Sequence, residues 1–272
     1  EIPKRDWSSD VCSSDLDLEG SRSNISRHYD LSNELFQLFL DETMMYSSAN
    51  FAGDKPTWEN FAKAQIRKIE GILDFAGVKA GMHILEIGTG WGQLAMQAAY
   101  RGAKVHSITL SKEQKALAEQ RIAKAGLSNL INVELRDYRD LKDQYDAVVS
   151  VEMIEAVGEK YWPTYFDAIS KHLKSGGRFG LQAITMPHDR LMASKHAYTW
   201  IHKYIFPGGI IPSREVIDQF TKRTMKLVDS RPLGPDYGYT LKLWRERFMQ
   251  NKDKVRSLRS EEHTSELQSR FG

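Results

Sequence analysis

Two clusters of residues in this sequence have the types and spacing to do chemistry. In "ILEIGTGWGQLA" an acid, Glu86, closes an apolar run and is followed by Gly88, Gly90 and Gly92. Glycines let a backbone turn sharply and approach a ligand closely. The spacing is E-x-G-x-G-x-G, whereas a dinucleotide site uses G-x-G-x-x-G to seat a pyrophosphate on a helix N-terminus. A carboxylate here repels phosphate and suits a cation, so S-adenosylmethionine, with its sulfonium and ammonium groups, is the expected ligand. The second cluster is "SVEMIEAVGEKYW", which places Glu152, Glu155 and Glu159 just beyond the apolar run "YDAVVS". Carboxylates at the mouth of a sheet are positioned to handle protons or to balance positive charge.

Alternating strand and helix signals surround both clusters. Strands are expected at 83–88, 104–110, 131–135, 145–151 and 177–185, and helices at 92–101, 111–126 and 159–173. This alternation predicts an α/β fold with a mostly parallel sheet and helices on both faces. Upstream, Leu35, Leu38 and Phe39 have helical spacing, and Trp58, Phe61, Ile66, Ile69 and Leu73 form one side of a second helix that Gly77 ends. Residues 213–223 read as a helix and "MKLVDSR", 225–231, as a strand. Between them an aromatic-rich insert, 186–212, carries Tyr198, Trp200, Ile201, Tyr204, Ile205 and Phe206; it reads equally as core and as an apolar pocket wall or membrane-facing lid.

At 272 residues and 41% hydrophobic composition the chain can bury one substantial core. Its net charge of +2 is too small to argue for nucleic acid, and no strand end carries the N-P-P-Y-like pattern of a base-flipping enzyme. No apolar run approaches the ~20 residues of a membrane span, nor is there a signal-peptide core; a cytoplasmic protein is expected. Scattered histidines without H-x-x-x-H spacing argue against a metal site.

The two ends look foreign. Residues 1–16 and 259–272 are rich in Ser and acids without apolar periodicity. One DNA segment encodes "RSEEHTSELQS" on one strand and the N-terminal "RDWSSDVCSSDL" on the other, which resembles a sequencing adapter read into both ends. The expected domain is therefore 17–258. Cys12, the one cysteine, falls in the first of these segments, and without the two segments the net charge becomes +5, from +2 minus their −2 and −1.

Over residues 24 to 250 the chain resembles the cyclopropane-fatty-acyl-phospholipid synthases and their mycolic-acid relatives. The resemblance rests on "HYDLSNELFQLFLD", "MYSSANF", "LEIGTGWG", "ITLSKEQ", "SVEMIEAVG", "YIFPGGIIPS" and "DYGYTLKLW", in that order. It implies a Rossmann-like class I methyltransferase whose final antiparallel strand lies beyond this chain. It also implies that Tyr46 and Ser47 touch the methionine part of S-adenosylmethionine, that Gly88 and Gly90 lie under it, and that Thr109, Leu110, Gln114 and Tyr138 surround ribose and adenine. The implied substrate is an unsaturated phospholipid or other acyl lipid, met at the inner face of the membrane.

Methylating an alkene leaves a carbocation, and closing a cyclopropane then requires a base in an apolar pocket. In the family that base is a bound bicarbonate. By resemblance Glu155, Ile184 and Tyr237 hold it, with Ser48, Gln182 and Tyr29 completing the catalytic set, while Glu152 and Glu159 read as solvated or capping residues. Ser48 stands where the family has Cys, Gln182 where it has His, and Ala156 where another His is common. A Gln amide still donates a hydrogen bond but cannot become cationic, which puts anion binding and ring closure in question. A methyl-branched product, a small-molecule N-methyltransferase and a non-catalytic binding protein stay open as alternatives.

Overall fold

The computed structural model describes residues 33–195, 197 and 208–258; Tyr29, both terminal segments and the aromatic centre of the insert lie outside them. Helix α1 (Asn33–Phe39) and α2 (Trp58–Phe75) lead into an alternating series. It runs β1 (His83–Ile87), α3 (Gln93–Tyr100), β2 (Lys104–Thr109), α4 (Lys112–Lys124), β3 (Ile131–Leu135), β4 (Tyr145–Val151), α5 (Trp162–His172) and β5 (Leu173–Gln182). Helices α6 (His188–Ser194), α7 (Arg214–Thr221), α8 (Gly234–Gln250) and α9 (Lys252–Ser257) follow.

The five strands pair in the order β3-β2-β1-β4-β5, all parallel. Successive side chains of each strand pack on opposite faces. Ile84, Val105, Ala147 and Val149 face α2, α3 and α4, while Leu85, Ile87, Tyr145 and Val148 face α5 with Trp162, Tyr165 and Phe166. A third, aromatic core joins the two ends of the described chain: Phe36 and Phe39 of α1 pack with Tyr46, Trp91, and Trp244 and Phe248 of α8. That core holds the 41–51 segment over the sheet.

Two element readings change. Helix α2 ends as expected at a left-handed Gly77, φ +65°, but its buried stripe Phe61, Ala64, Gln65, Lys68, Ile69, Ile72 includes an amide and an ammonium. The segment 225–231 is not a strand: it pairs with nothing among the described residues, and Leu227 and Val228 are 58% and 76% exposed. Its β-prone residues satisfy the local pattern, but a strand exists only through a neighbour's ladder.

Candidate active site

Strand order reverses between β1 and β4, and in parallel sheets ligands bind at the carboxyl ends flanking such a switch. Here those ends carry Glu86 to Trp91 on one side and Val151 to Met153 on the other. Both line one cavity, which Met45, Tyr46 and Ser47 border from the N-terminal segment.

The glycine loop is shaped by close packing and by the room it leaves. Gly88 has φ +95°, and a Cβ there would lie 2.6 Å from Cγ and Sδ of Met153, so this position needs glycine twice over. Gly90, at φ +51°, would meet nothing within 4 Å. Gly92, at φ +87°, is the N-cap of α3 and, unlike Gly88 and Gly90, does not border the cavity: a Cβ there would lie 3.2 Å from that of Ala118 in α4. The backbone N–H groups of Gly88 and Thr89 donate to the Ile108 carbonyl at 3.0 and 3.1 Å, tying the loop to β2.

Glu86 is 3% exposed, with Ser107 Oγ 2.5 Å from its carboxylate. Burial pushes its pKa up to about 8 against the opposing effects of Ser107 and the charge of Lys68. A cationic ligand in the cavity would restore its ionised form. At the far wall Thr109 Oγ1 donates to Gln114 Oε1 at 2.8 Å, and both side chains are buried. Ser111 caps α4 by accepting from the Gln114 N–H, which fixes Gln114 toward the cavity. Leu110 and Tyr138 complete that wall; burial raises the Tyr138 phenol to about 12. Tyr46, Ser47, Glu86, Gly88, Gly90, Thr109, Leu110, Gln114 and Tyr138 thus border the same cavity. Its open space above Gly90, its buried acid and a far wall that combines Thr109 and Gln114 with Leu110 and Tyr138 fit S-adenosylmethionine.

Three of the residues expected around bicarbonate, Ser48, Gln182 and Tyr237, also converge, but on a side chain. Glu152, at φ +50°, sits one residue beyond β4 and donates its N–H to the Gln182 carbonyl at 2.8 Å. Its Oε1 accepts from the Ser48 N–H at 3.1 Å and from Gln182 Nε2 at 2.8 Å, and its Oε2 accepts from the Tyr237 hydroxyl at 2.8 Å. Glu152 lines the cavity, and so is neither a solvated nor a capping residue. Ser48 offers its backbone N–H here, while its hydroxyl donates to the Ala49 carbonyl at 3.0 Å. Burial pushes the Glu152 pKa upward, opposed by the Ser48 amide, the charge of Lys68, Gln182 and Tyr237.

Glu155 differs. Its Oε1 accepts from the Ile184 N–H, its Oε2 is buried with no hydrogen-bond partner, and burial with the neighbouring Glu152 charge raises its pKa to about 8. At neutral pH it is an acid in its protonated form. Glu159 is exposed and paired with Lys195 at 3.0 Å.

Lys68 and Asp41 were not singled out from the sequence. Lys68 is 2% exposed, donates to Ser47 Oγ at 2.6 Å, and has its pKa lowered to about 8 by burial, against the charges of Glu152, Asp41 and Glu86. The signal was a Lys on an otherwise apolar helical stripe. Asp41, 6% exposed, accepts from the Thr43 N–H at 3.0 Å. Among the described residues no cluster of His, Cys, Asp and Glu could hold a metal ion.

Comparison with known proteins agrees with this geometry. The chain is 54% identical over 245 residues to the tuberculostearic acid methyltransferase UfaA1 of Mycobacterium tuberculosis, covering 88% of this chain and 57% of that protein. It is 40% identical over 223 residues to the cyclopropane-fatty-acyl-phospholipid synthase of Escherichia coli strain K12, covering 82% and 55%. It thus spans little more than half the length of these relatives. The mycolic acid cyclopropane synthase CmaA1, solved with SAH and CTAB, superposes with a TM-score of 0.81 at 30% identity, over 90% of this chain and 89% of that one. The sequence pattern of the mycolic acid cyclopropane synthetase family matches residues 17–269, and the chain belongs to that family of S-adenosylmethionine-dependent lipid methyltransferases and cyclopropane synthases.

Proposed function

We propose that this protein transfers a methyl group from S-adenosylmethionine to a double bond within an unsaturated acyl chain, and that the product carries a one-carbon branch. The observation that carries the reading is a carboxylate fixed by three donors at the end of a cavity bordered by Met44, Met45, Trp91, Leu94, Val151 and Met153. Apolar walls accept an acyl chain and exclude water, and a fixed carboxylate balances the positive charge that alkene alkylation creates.

Bound S-adenosylmethionine supplies an electrophilic methyl group on a sulfonium. The chain's residues do the rest. Glu86 meets the ligand's positive charge, Thr109 and Gln114 hold each other rigid at the opposite wall, and the left-handed glycines keep the floor free of side chains. No step runs through bicarbonate, because the Ser48 N–H, the Gln182 amide and the Tyr237 hydroxyl already serve Glu152.

The branched product is supported by the higher identity to the tuberculostearic acid methyltransferase than to the cyclopropane synthase, and by Gln182 standing where a His was expected. Chemically it is reached when the cation migrates to the methylated carbon and that methyl group loses a proton, leaving a methylene branch; a saturated branch requires a further two-electron reduction. We place the acyl lipid at a membrane surface, where such chains are found; no helix among the described residues is long and apolar enough to cross the bilayer. The test is transfer of radiolabelled methyl from S-adenosylmethionine into vesicles of unsaturated or saturated phospholipid. Label in the unsaturated lipid alone is expected; label in a small amine but in neither lipid would replace this reading with N-methylation.

A further inference from the structure

The three donors around Glu152 are among the groups that resemblance assigned to an exogenous anion. The geometry points to Glu152 as a built-in replacement for that anion: its carboxylate is the proton acceptor of the reaction, and the protein works without bicarbonate. This rests on the proposed alkylation of an acyl double bond.

Three observations carry it. First, the donor set is filled: Oε1 takes the Ser48 N–H at 3.1 Å and Gln182 Nε2 at 2.8 Å, and Oε2 takes the Tyr237 hydroxyl at 2.8 Å. These partners come from three separate parts of the chain, so the arrangement is built by the tertiary fold rather than by local sequence. Second, Glu152 reaches them from a left-handed backbone, φ +50°, a conformation that disfavours a residue bearing a side chain. Strain of this kind persists where the surrounding structure holds it, and it clusters at working sites. Third, the nearby acids are not equivalent. Glu155 has one partnered oxygen and one buried without a partner, whereas Glu152 has both oxygens partnered and a neighbouring cation, Lys68. The donors and the cation therefore favour a carboxylate at Glu152 that is oriented on both oxygens, whereas Glu155 has no such set of partners.

The step balances as follows. The alkene's π electrons form a bond to the methyl carbon as the carbon–sulfur bond breaks, leaving the neutral thioether and a cation on the acyl chain. The hydrogen on the methylated carbon then shifts with its electron pair to the neighbouring cationic carbon, moving the positive charge to the methylated carbon, and Glu152 takes one proton from the transferred methyl group. The freed C–H pair forms the new carbon–carbon double bond, and Glu152, now a neutral acid, later returns its proton to water. Donors on both oxygens orient the carboxylate without neutralising it.

The intact protein tests this with two substitutions. Glu152→Gln keeps shape but removes the basic oxygen; Glu152→Gly opens the donor set and suits the left-handed backbone. Wild type should turn over at the same rate with and without added bicarbonate. Glu152→Gln should be slower by about a hundredfold or more, and Glu152→Gly should be similarly slow but recover on addition of bicarbonate. Binding of ¹³C-bicarbonate, followed by NMR, should appear in Glu152→Gly and be absent in wild type. A wild-type rate that rises with bicarbonate, or Glu152→Gln with an unchanged rate and product, would overturn the assignment. So would a Glu152→Gly variant that keeps its S-adenosylmethionine affinity yet neither binds bicarbonate nor is rescued by it. If wild type binds S-adenosylmethionine but alkylates no unsaturated lipid, the functional reading fails, and the NMR comparison still decides whether Glu152 occupies the anion site.

Discussion

Replacing Glu155 by Gln should stabilise this protein, and increasingly so as pH rises. Its pKa moves from 4.5 in an unfolded chain to about 8 in the fold, because burial and the Glu152 charge disfavour ionisation. Between those values the folded state keeps a proton that the unfolded chain has released, so stability falls as pH rises through the window. At pH 7 the gap is 7 − 4.5 = 2.5 pH units, or about 3 kcal/mol at 1.36 kcal/mol per unit. The loss is complete only above pH 8. Gln cannot ionise, so it removes this loss while mimicking the protonated acid. Its carbonyl can still accept from the Ile184 N–H, and its amide takes the place of Oε2, which already lacks a partner. Thermal or urea unfolding from pH 5 to 9 provides the assay. Wild type and Glu155→Gln should nearly coincide at pH 5 and diverge by about 3 kcal/mol by pH 7, a difference on the order of 5–10 °C in Tm. Parallel stability–pH curves would show that Glu155 is ionised in the fold, and the assignment of protonation states around Glu152 would fall with that.

Other expectations follow from the same geometry. Gly90→Val should leave the protein folded but lower S-adenosylmethionine affinity at least tenfold, because its branched side chain would enter the open space at φ +51°; calorimetry showing unchanged affinity would remove the loop from the site. Gly88→Ala should cost about 1–3 kcal/mol in denaturant unfolding, from a left-handed backbone and a Cβ 2.6 Å from Met153, and a neutral result would contradict the packing described. Lys68→Met removes the cation beside Glu152 and so raises that carboxylate's pKa; the acidic limb of the kcat/KM–pH profile should shift to higher pH, and an unmoved limb would show that Lys68 does not act on the base.

Much of the fold could be read directly from residue order. Alternating apolar runs and helical stripes located all five parallel strands, and Glu86 with Gly88 and Gly90 located the cavity floor, because those signals are local. Segment 225–231 had the same β-prone composition but lacks a neighbour, and a strand is a property of a pair. The chemistry at Glu152 was hidden for a related reason. Its donors lie 104, 30 and 85 residues away in sequence, so nothing near "SVEMIEAVG" says which acid they reach. A place just beyond an apolar run marked Glu152, Glu155 and Glu159 alike, and resemblance favoured Glu155. Lys68 was the most recoverable miss, since a cation on the stripe of Phe61, Ala64, Ile69 and Ile72 has to be buried with partners.

The central claim is that a methyl group reaches a carbon–carbon double bond and then gives up a proton to a carboxylate of this chain. The most direct measurement supplies the intact protein with S-adenosylmethionine carrying a trideuterated methyl group and with unsaturated phospholipid, and then weighs the lipid product by mass spectrometry. The account predicts a product in which the transferred carbon has lost one of its deuterium atoms, formed by wild type without added bicarbonate. A product retaining all three, or label found in a molecule without a double bond, would contradict it.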